Sequence, residues 1–284
     1  MGTMPPPPGH AGASRGPVPL QPMRIGQTID AAIKLYRSDW KTLMTIVALI
    51  AVPYTLFQNF VDHLATHPVL IGPRTYGTRS DPGVAILLIV VYYVLLSPLL
   101  KASMVRAVAG IYLGVHSTAW ESIRFGASKL GWVLLAGFLS GLLIGIATLA
   151  LIVPGIILYV RYSFIAPAIV VEGEKGGAIG RSWRLSKGLG WHIFGTLVLA
   201  GILAAIVTII LTLPASFITL NESLTTGTTS SSAWVLRAVL NSIATVIVTP
   251  FATTVGVLLY FDARIRKEGF DIAVMAREVG SATP

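Results

Sequence analysis

The chain contains no cysteine, and only 12% of its 284 residues are charged. Without cysteine there is no disulfide scaffold, no thiolate nucleophile and no cysteine-based metal cage. The scarcity of charge excludes more. A soluble domain carries about 25% charged residues, so half of the usual solvating surface is missing. Acidic residues are the rarest, 12 Asp+Glu against 21 Lys+Arg. No Ser-His-Asp set, paired-carboxylate arrangement or H-E-x-x-H pattern is legible, so catalysis has little to work with and no cofactor is implied. What fills the chain instead is apolar: 54% hydrophobic residues and a mean hydropathy of +0.76. A soluble fold of this length cannot hide so much apolar side chain, whereas a lipid-facing surface can. The composition predicts an all-α, polytopic membrane helix bundle.

Apolar stretches long enough to cross a ~30 Å hydrocarbon core need about 20 residues. Five are clear: 42–61, 83–100, 132–153, 192–213 and 235–261. A sixth, 155–171, is shorter and contains Arg161 and Pro167. It follows the previous span through Val153-Pro154-Gly155, which reads as a tight corner between the arms of a helical hairpin. Six spans place both ends on one side. That side then collects Arg15, Arg24, Lys34, Arg37 and Lys41, then Lys101, Arg106, Arg124 and Lys129. It also takes Lys175, Arg181, Arg184 and Lys187, and finally Arg264, Arg266, Lys267 and Arg277. The opposite loops keep only Arg74 and Arg79. The asymmetry predicts N-in, C-in and explains the net charge of +9 without invoking nucleic acid. Residues 1–22, with the run Pro5-Pro6-Pro7-Pro8, read as a disordered cytoplasmic tail without a signal-peptide core. Residues 23–268 form the membrane domain and 269–284 a short cytoplasmic tail.

Three segments beside the spans carry helical periodicity. In 27–41, Gln27, Asp30, Lys34, Arg37 and Lys41 oppose Ile25, Ile29, Ile33, Tyr36 and Trp40. In 118–129, Thr118 and Glu121 fit a capping box. In 178–189, Ile179 and Trp183 oppose Arg181, Arg184 and Lys187. A basic face opposite an aliphatic and aromatic one suits a helix on anionic headgroups, and it equally suits a helix packed under the bundle. Each basic segment runs into a Trp that opens a pair of spans: Trp40, Trp132, Trp191. Three repeats of amphipathic helix plus helical hairpin are therefore a candidate architecture.

Few residues stand out as sites. Gly137, Gly141 and Gly145 share one helix face; such spacing favours close packing, here expected within the monomer rather than across a homodimer seam. Arg161 is the candidate functional polar residue. Some seven residues into a span, it sits about 10 Å deep. There it either faces an interior path or snorkels beside Tyr159 and Tyr162. Arg237, near the outer boundary, reads as a snorkelling residue. His63 and His67 beside Asp62 lack further ligands at recognisable spacing, so no metal site is predicted. The segment 175–182 has Lys175 and Arg181 where a phosphate-binding loop needs Gly and Lys, which excludes it.

Longer strings carry a resemblance. They are Arg24-Ile25-Gly26-Gln27-Thr28-Ile29-Asp30-Ala31-Ala32-Ile33-Lys34-Leu35-Tyr36-Arg37, and Val153-Pro154-Gly155-Ile156 followed by Arg161, Pro167 and Glu172. Arg181-Ser182-Trp183-Arg184-Leu185 and the run from Tyr260 to Asp271 complete them. Together they resemble a bacterial, actinobacterial-type group of membrane proteins similar to the membrane domain attached to some glycerophosphoryl diester phosphodiesterases. The resemblance implies a six-helix plasma-membrane protein. It implies no esterase activity, because the catalytic domain of those enzymes is absent from this sequence.

Two functions follow as expectations. The first is a non-catalytic scaffold, partner or lipid-interacting protein, with the lipid bilayer, anionic headgroups at the basic collars, and a protein partner or second copy as its contacts. The second is a transporter of a small molecule, ion or lipid. A polar cavity reaching the midplane favours transport, and a solid apolar core favours scaffolding.

Overall fold

A computed structural model describes residues 17–72, 75–80, 82–226, 231–272 and 274. Ten α-helices and one β-hairpin make up the described chain. The helices are α1 (Ile25–Ser38), α2 (Trp40–Ala65), α3 (Pro82–Val91), α4 (Ser97–Tyr112), α5 (Ala119–Ala150), α6 (Ile152–Tyr162), α7 (Ile165–Val171), α8 (Ala178–Ser186), α9 (Gly190–Thr226) and α10 (Ser231–Glu268). Six stretches are long and apolar enough to cross a membrane: Trp40–Val61, Ile86–Tyr112, Ala119–Ala150, Ile152–Val171, Gly190–Glu222 and Ser232–Glu268. The protein is a multi-pass, all-α membrane-type bundle. Its lipid-facing nature is visible in residues such as Leu149, Ile152 and Ile210, which are large, apolar and exposed.

Two strands, β1 (Thr66–Gly72) and β2 (Thr75–Ser80), pair antiparallel between α2 and α3. No alternation in the sequence pointed to them. We call the hairpin's side of the bundle the hairpin face, and the side where both ends of the membrane domain meet the terminal face. His63 and His67 have no described side-chain positions.

Several boundaries differ from expectation, each for a packing reason. The second span runs on from 100 to Tyr112, and a single π turn at Tyr92–Leu96 joins α3 to α4. Its added turns are rich in small residues, and they are buried because α5 comes very close: a Cβ on Gly126 would lie 2.4 Å from Ser103 Oγ. The corner before the fourth span is at Leu151, which is extended (φ −160°, ψ 138°), and not at Val153–Gly155. Pro154 sits in the first turn of α6, where its missing N–H costs nothing. Gly155 is there for space: a Cβ would lie 2.0 Å from Thr148 Oγ1 of α5. The fourth span itself breaks at Ser163–Phe164 into α6 and α7.

The glycine series reverses expectation. A Cβ on Gly137, Gly141 or Gly145 would meet nothing within 4 Å, so this face of α5 is open within the monomer. Residues 17–22, assigned to the tail by composition, also differ: Val18 is 3% exposed and joins the core with Met23, because the peptide leading into α1 is pinned to α10.

The segment 27–41 folds as α1 and stops at Asp39, with Gln27, Asp30, Lys34 and Arg37 exposed and Ile29, Ala32 and Leu35 buried. Thr118 and Glu121 form the capping box, but the helix they open continues without interruption into the third span. The order short helix, then hairpin, recurs three times along the chain, with α1, the first turns of α5, and α8 as the short helices.

Candidate ligand-binding cleft

Polar side chains on three helices converge toward the hairpin face. The cleft they line has a volume of about 330 Å³ and lies between α2, α9 and α10. From α2 come Thr55, Gln58 and Asn59, and from α9 Thr208 and Thr212. Arg237, Asn241, Thr245 and Thr249 come from α10. The spacing is helical, so each helix presents one polar stripe in a surface that is otherwise aliphatic. Twelve residues separate Arg237 from Thr249, about 18 Å along the axis at 1.5 Å per residue. Thr249 stands near the middle of the 38-residue α10.

Hydrogen bonds fix what the walls offer. Thr208, Thr212 and Thr245 donate their hydroxyl protons to the carbonyls of Ala204, Thr208 and Asn241, at 2.8, 2.9 and 2.8 Å. Thr55 is bonded to the Ala51 and Val52 carbonyls and to Ser242 Oγ, which ties α2 to α10. These hydroxyls keep acceptor capacity only. Asn241 Nδ2 reaches Asn59 Oδ1 at 3.5 Å, and Asn59 Nδ2 donates to the Thr55 carbonyl at 2.7 Å. Arg237 has no hydrogen-bond or ion-pair partner among the described residues, and no Asp or Glu lines the cleft. One cation therefore stands over a wall of neutral oxygens. Toward the terminal face the cleft gives way to the buried core of Ile46, Val47 and Ile50 on α2 and Val255 and Leu258 on α10.

Arg161 is not in this cleft. It ends α6, and its guanidinium stacks over the Trp183 ring of α8 with 5.2 Å to the centroid, as a cation–π pair. Its Nη1 is buried without a hydrogen-bond partner. Its carbonyl accepts from Ser182 Oγ at 2.7 Å and Ser186 Oγ at 3.3 Å, and Ser182 Oγ accepts from the Phe164 N–H. Two serines of α8 thus satisfy the backbone groups freed where the fourth span breaks. Arg161 is a joint between α6 and α8. Arg237, read from sequence as a snorkelling residue, is the cation that lines a cavity. Its signal was the stripe Arg237-x-x-x-Asn241-x-x-x-Thr245-x-x-x-Thr249, polar residues every fourth position in an apolar span.

A second polar centre holds the terminal face. Glu172 accepts from Arg181 Nε (2.7 Å) and Nη2 (2.9 Å) and from the Tyr260 hydroxyl, with Arg264 Nε 3.5 Å away. Arg181 also binds Glu268, as does Arg264 at 3.1 Å. Hydrogen bonds to Glu268 and then Glu172 push the Arg181 pKa further up, so it stays charged. A few residues away, Asp262 is 1% exposed. Its Oδ1 accepts from the Met23 N–H at 2.7 Å, and its Oδ2 from Arg266 Nε at 2.8 Å. Arg266 Nη2 in turn donates to the Met23 carbonyl at 2.6 Å. His192 Nε2 lies 3.2 Å from Asp262 Oδ2 but off hydrogen-bond geometry. These groups are paired with one another, which suits a clamp. Among the described residues no cluster of three or more metal-ligating side chains exists.

No curated protein and no solved structure matches the chain. A protein-family model does: residues 41–263, which hold the whole cleft and Glu172, Arg181, Tyr260 and Asp262 of the clamp, match a domain described as one of unknown function, DUF7847. With most of its length inside that match, the chain belongs to the DUF7847 family.

Proposed function

We propose that this protein is a non-catalytic, multi-pass protein of the bacterial plasma membrane, oriented N-in and C-in, that takes a polar ligand into the cleft between α2, α9 and α10. The orientation rests on the distribution of basic residues along the chain. In that orientation the terminal face is cytoplasmic and the cleft opens outward. The basic residues exposed around α1 and α8, among them Lys34, Arg37, Arg184 and Lys187, lie against anionic headgroups of the inner leaflet. The clamp fixes the ends of the bundle so that these collars stay in place.

One observation favours handling of a lipid or solute over a mute scaffold: a polar cleft reaching the middle of α10 in a bundle otherwise packed with aliphatic side chains. Buried polar surface without a partner is costly in an apolar medium, so a cleft of this kind is normally filled by water or ligand. The buried apolar residues beneath it close it on one side, as expected of a binding site or of one state of an alternating carrier. The test fills the cleft. Asn241→Leu with Thr245→Leu is purified in mild detergent beside the wild type, and the co-purifying lipids and small molecules are identified. Loss of a bound species from a variant that remains folded supports the reading; an unchanged complement of bound species overturns it.

A further inference from the structure

We infer that the cleft recognises an anionic phosphate ester whose other arm carries hydroxyl donors, such as a glycerol phosphate headgroup. The inference rests on the proposed role of the cleft and adds the chemistry of its occupant. Arg237 supplies the only formal charge among the lining residues, and no described group neutralises it. An exposed arginine fork at a cleft that holds no acid selects a carboxylate or phosphate, because it offers paired N–H donors in a plane. Gln58, whose amide has no partner among the described residues, adds two further donors to the lining. Donors therefore concentrate around the end of the cleft that Arg237 occupies.

Deeper in the cleft the chemistry inverts. Thr208, Thr212 and Thr245 have already donated their protons to backbone carbonyls of their own helices. These three hydroxyls keep acceptor capacity, Thr249 adds a hydroxyl able to donate or accept, and a ligand is best held there by groups that bring donors of their own. A trimethylammonium head brings none. A primary ammonium brings three, but with no Asp or Glu in the lining its charge would stay uncompensated. Hydroxyl groups bring donors without charge. A headgroup of net charge −1 with hydroxyls thus matches both ends: its phosphate faces Arg237 and the cleft stays neutral overall. The order of preference is phosphatidylglycerol, then phosphatidylethanolamine, then phosphatidylcholine. The same chemistry is offered by soluble glycerol phosphate, so lipid and free phosphate ester are separate arms of one test.

The full-length protein in mild detergent is titrated with each of the three lipids and with glycerol phosphate, and its thermal unfolding midpoint is followed. The expected result is saturation by phosphatidylglycerol at a concentration at least about tenfold below that for phosphatidylcholine. Arg237→Gln should weaken phosphatidylglycerol about tenfold, equivalent to ~1.4 kcal/mol, and phosphatidylcholine, whose head does not seat in the cleft, by less. Arg237→Lys should retain part of the preference. Because the basic collars also attract anionic lipid, Lys34→Gln with Arg37→Gln serves as the control and should leave the saturable phase in place. Competition by glycerol phosphate identifies a soluble ligand, and its absence a lipid; either supports the shared chemistry. Equal binding of all three lipids in wild type and Arg237→Gln overturns the inference. In that case the cleft reading survives if Asn241→Leu with Thr245→Leu abolishes the binding, and falls with it if the filled variant binds as before.

Discussion

Asp262 illustrates how one buried carboxylate can organise the ends of a chain. It binds the Met23 N–H while Arg266, one helical turn later, takes the Met23 carbonyl, so two side chains of α10 grip one peptide unit ahead of α1. Removing the carboxylate leaves the buried Met23 N–H without an acceptor and takes one of the two partners of Arg266, and an unsatisfied buried donor costs about 1–3 kcal/mol. Asp262→Ala should therefore lower the unfolding midpoint and expose residues 17–24 to protease, whereas Asp262→Asn should do so less, since its amide oxygen can still accept from Met23. Equal protease resistance in all three proteins would show that the clamp does not hold the N-terminal segment. Arginines show where sequence reading runs short at this scale. Depth along a span suggested Arg161 as the site and Arg237 as incidental, yet depth does not say which way a side chain faces. Arg161 stacks on Trp183, and Arg237 stands over the cleft.

At the scale of helices, hydropathy and length located all six long apolar stretches, because a span has to be apolar whatever it packs against. Packing was much less legible. A G-x-x-x-G-x-x-x-G series suggested close contact along α5, but Gly137, Gly141 and Gly145 face open space, while the tight crossings sit at lone glycines, Gly126 on Ser103 and Gly155 on Thr148. Close approach depends on the partner helix, which spacing within one helix does not encode. The cleft was hidden for the same reason, being assembled from three helices that are distant in sequence. The contrast between the two kinds of glycine is measurable. Gly126→Ala puts a methyl group 2.4 Å from Ser103 Oγ and 2.8 Å from its backbone nitrogen, and overpacking of this kind costs roughly 1–3 kcal/mol. Gly141→Ala meets no atom within 4 Å among the described residues and gains up to about 1 kcal/mol of helix propensity. Thermal unfolding of the two variants should move in opposite directions. A lower midpoint for Gly141→Ala would mean that a neighbouring chain covers this face, and the monomer would not be the packed unit.

For the whole molecule the decisive quantity is orientation, since the same bundle placed the other way round would turn the cleft toward the cytoplasm and the collars outward. The clamp holds the start of α1 against the end of α10, so both ends of the membrane domain share one face. Which face is inside is argued from charge. Lys34, Arg37, Lys129, Lys175, Arg184, Lys187 and Lys267 belong to the terminal face, against Arg79 in β2 on the hairpin face. Retention of positive charge in the cytoplasm then predicts N-in and C-in. The absence of native cysteine makes the test direct. Single cysteines replace Thr78 in β2, Thr225 near the end of α9, exposed Lys187 after α8, and exposed Lys267 near the end of α10. Intact cells are treated with a membrane-impermeant maleimide, and permeabilised cells provide the reference. Thr78→Cys and Thr225→Cys should label from outside, and Lys187→Cys and Lys267→Cys only after permeabilisation. The reverse pattern would invert the molecule, place Arg237 toward the cytoplasm, and make any ligand of the cleft an intracellular one. A mixed pattern, with Thr78→Cys labelled and Thr225→Cys protected, would mean that the broken α6–α7 segment does not cross, because an uncrossed segment flips every span that follows it.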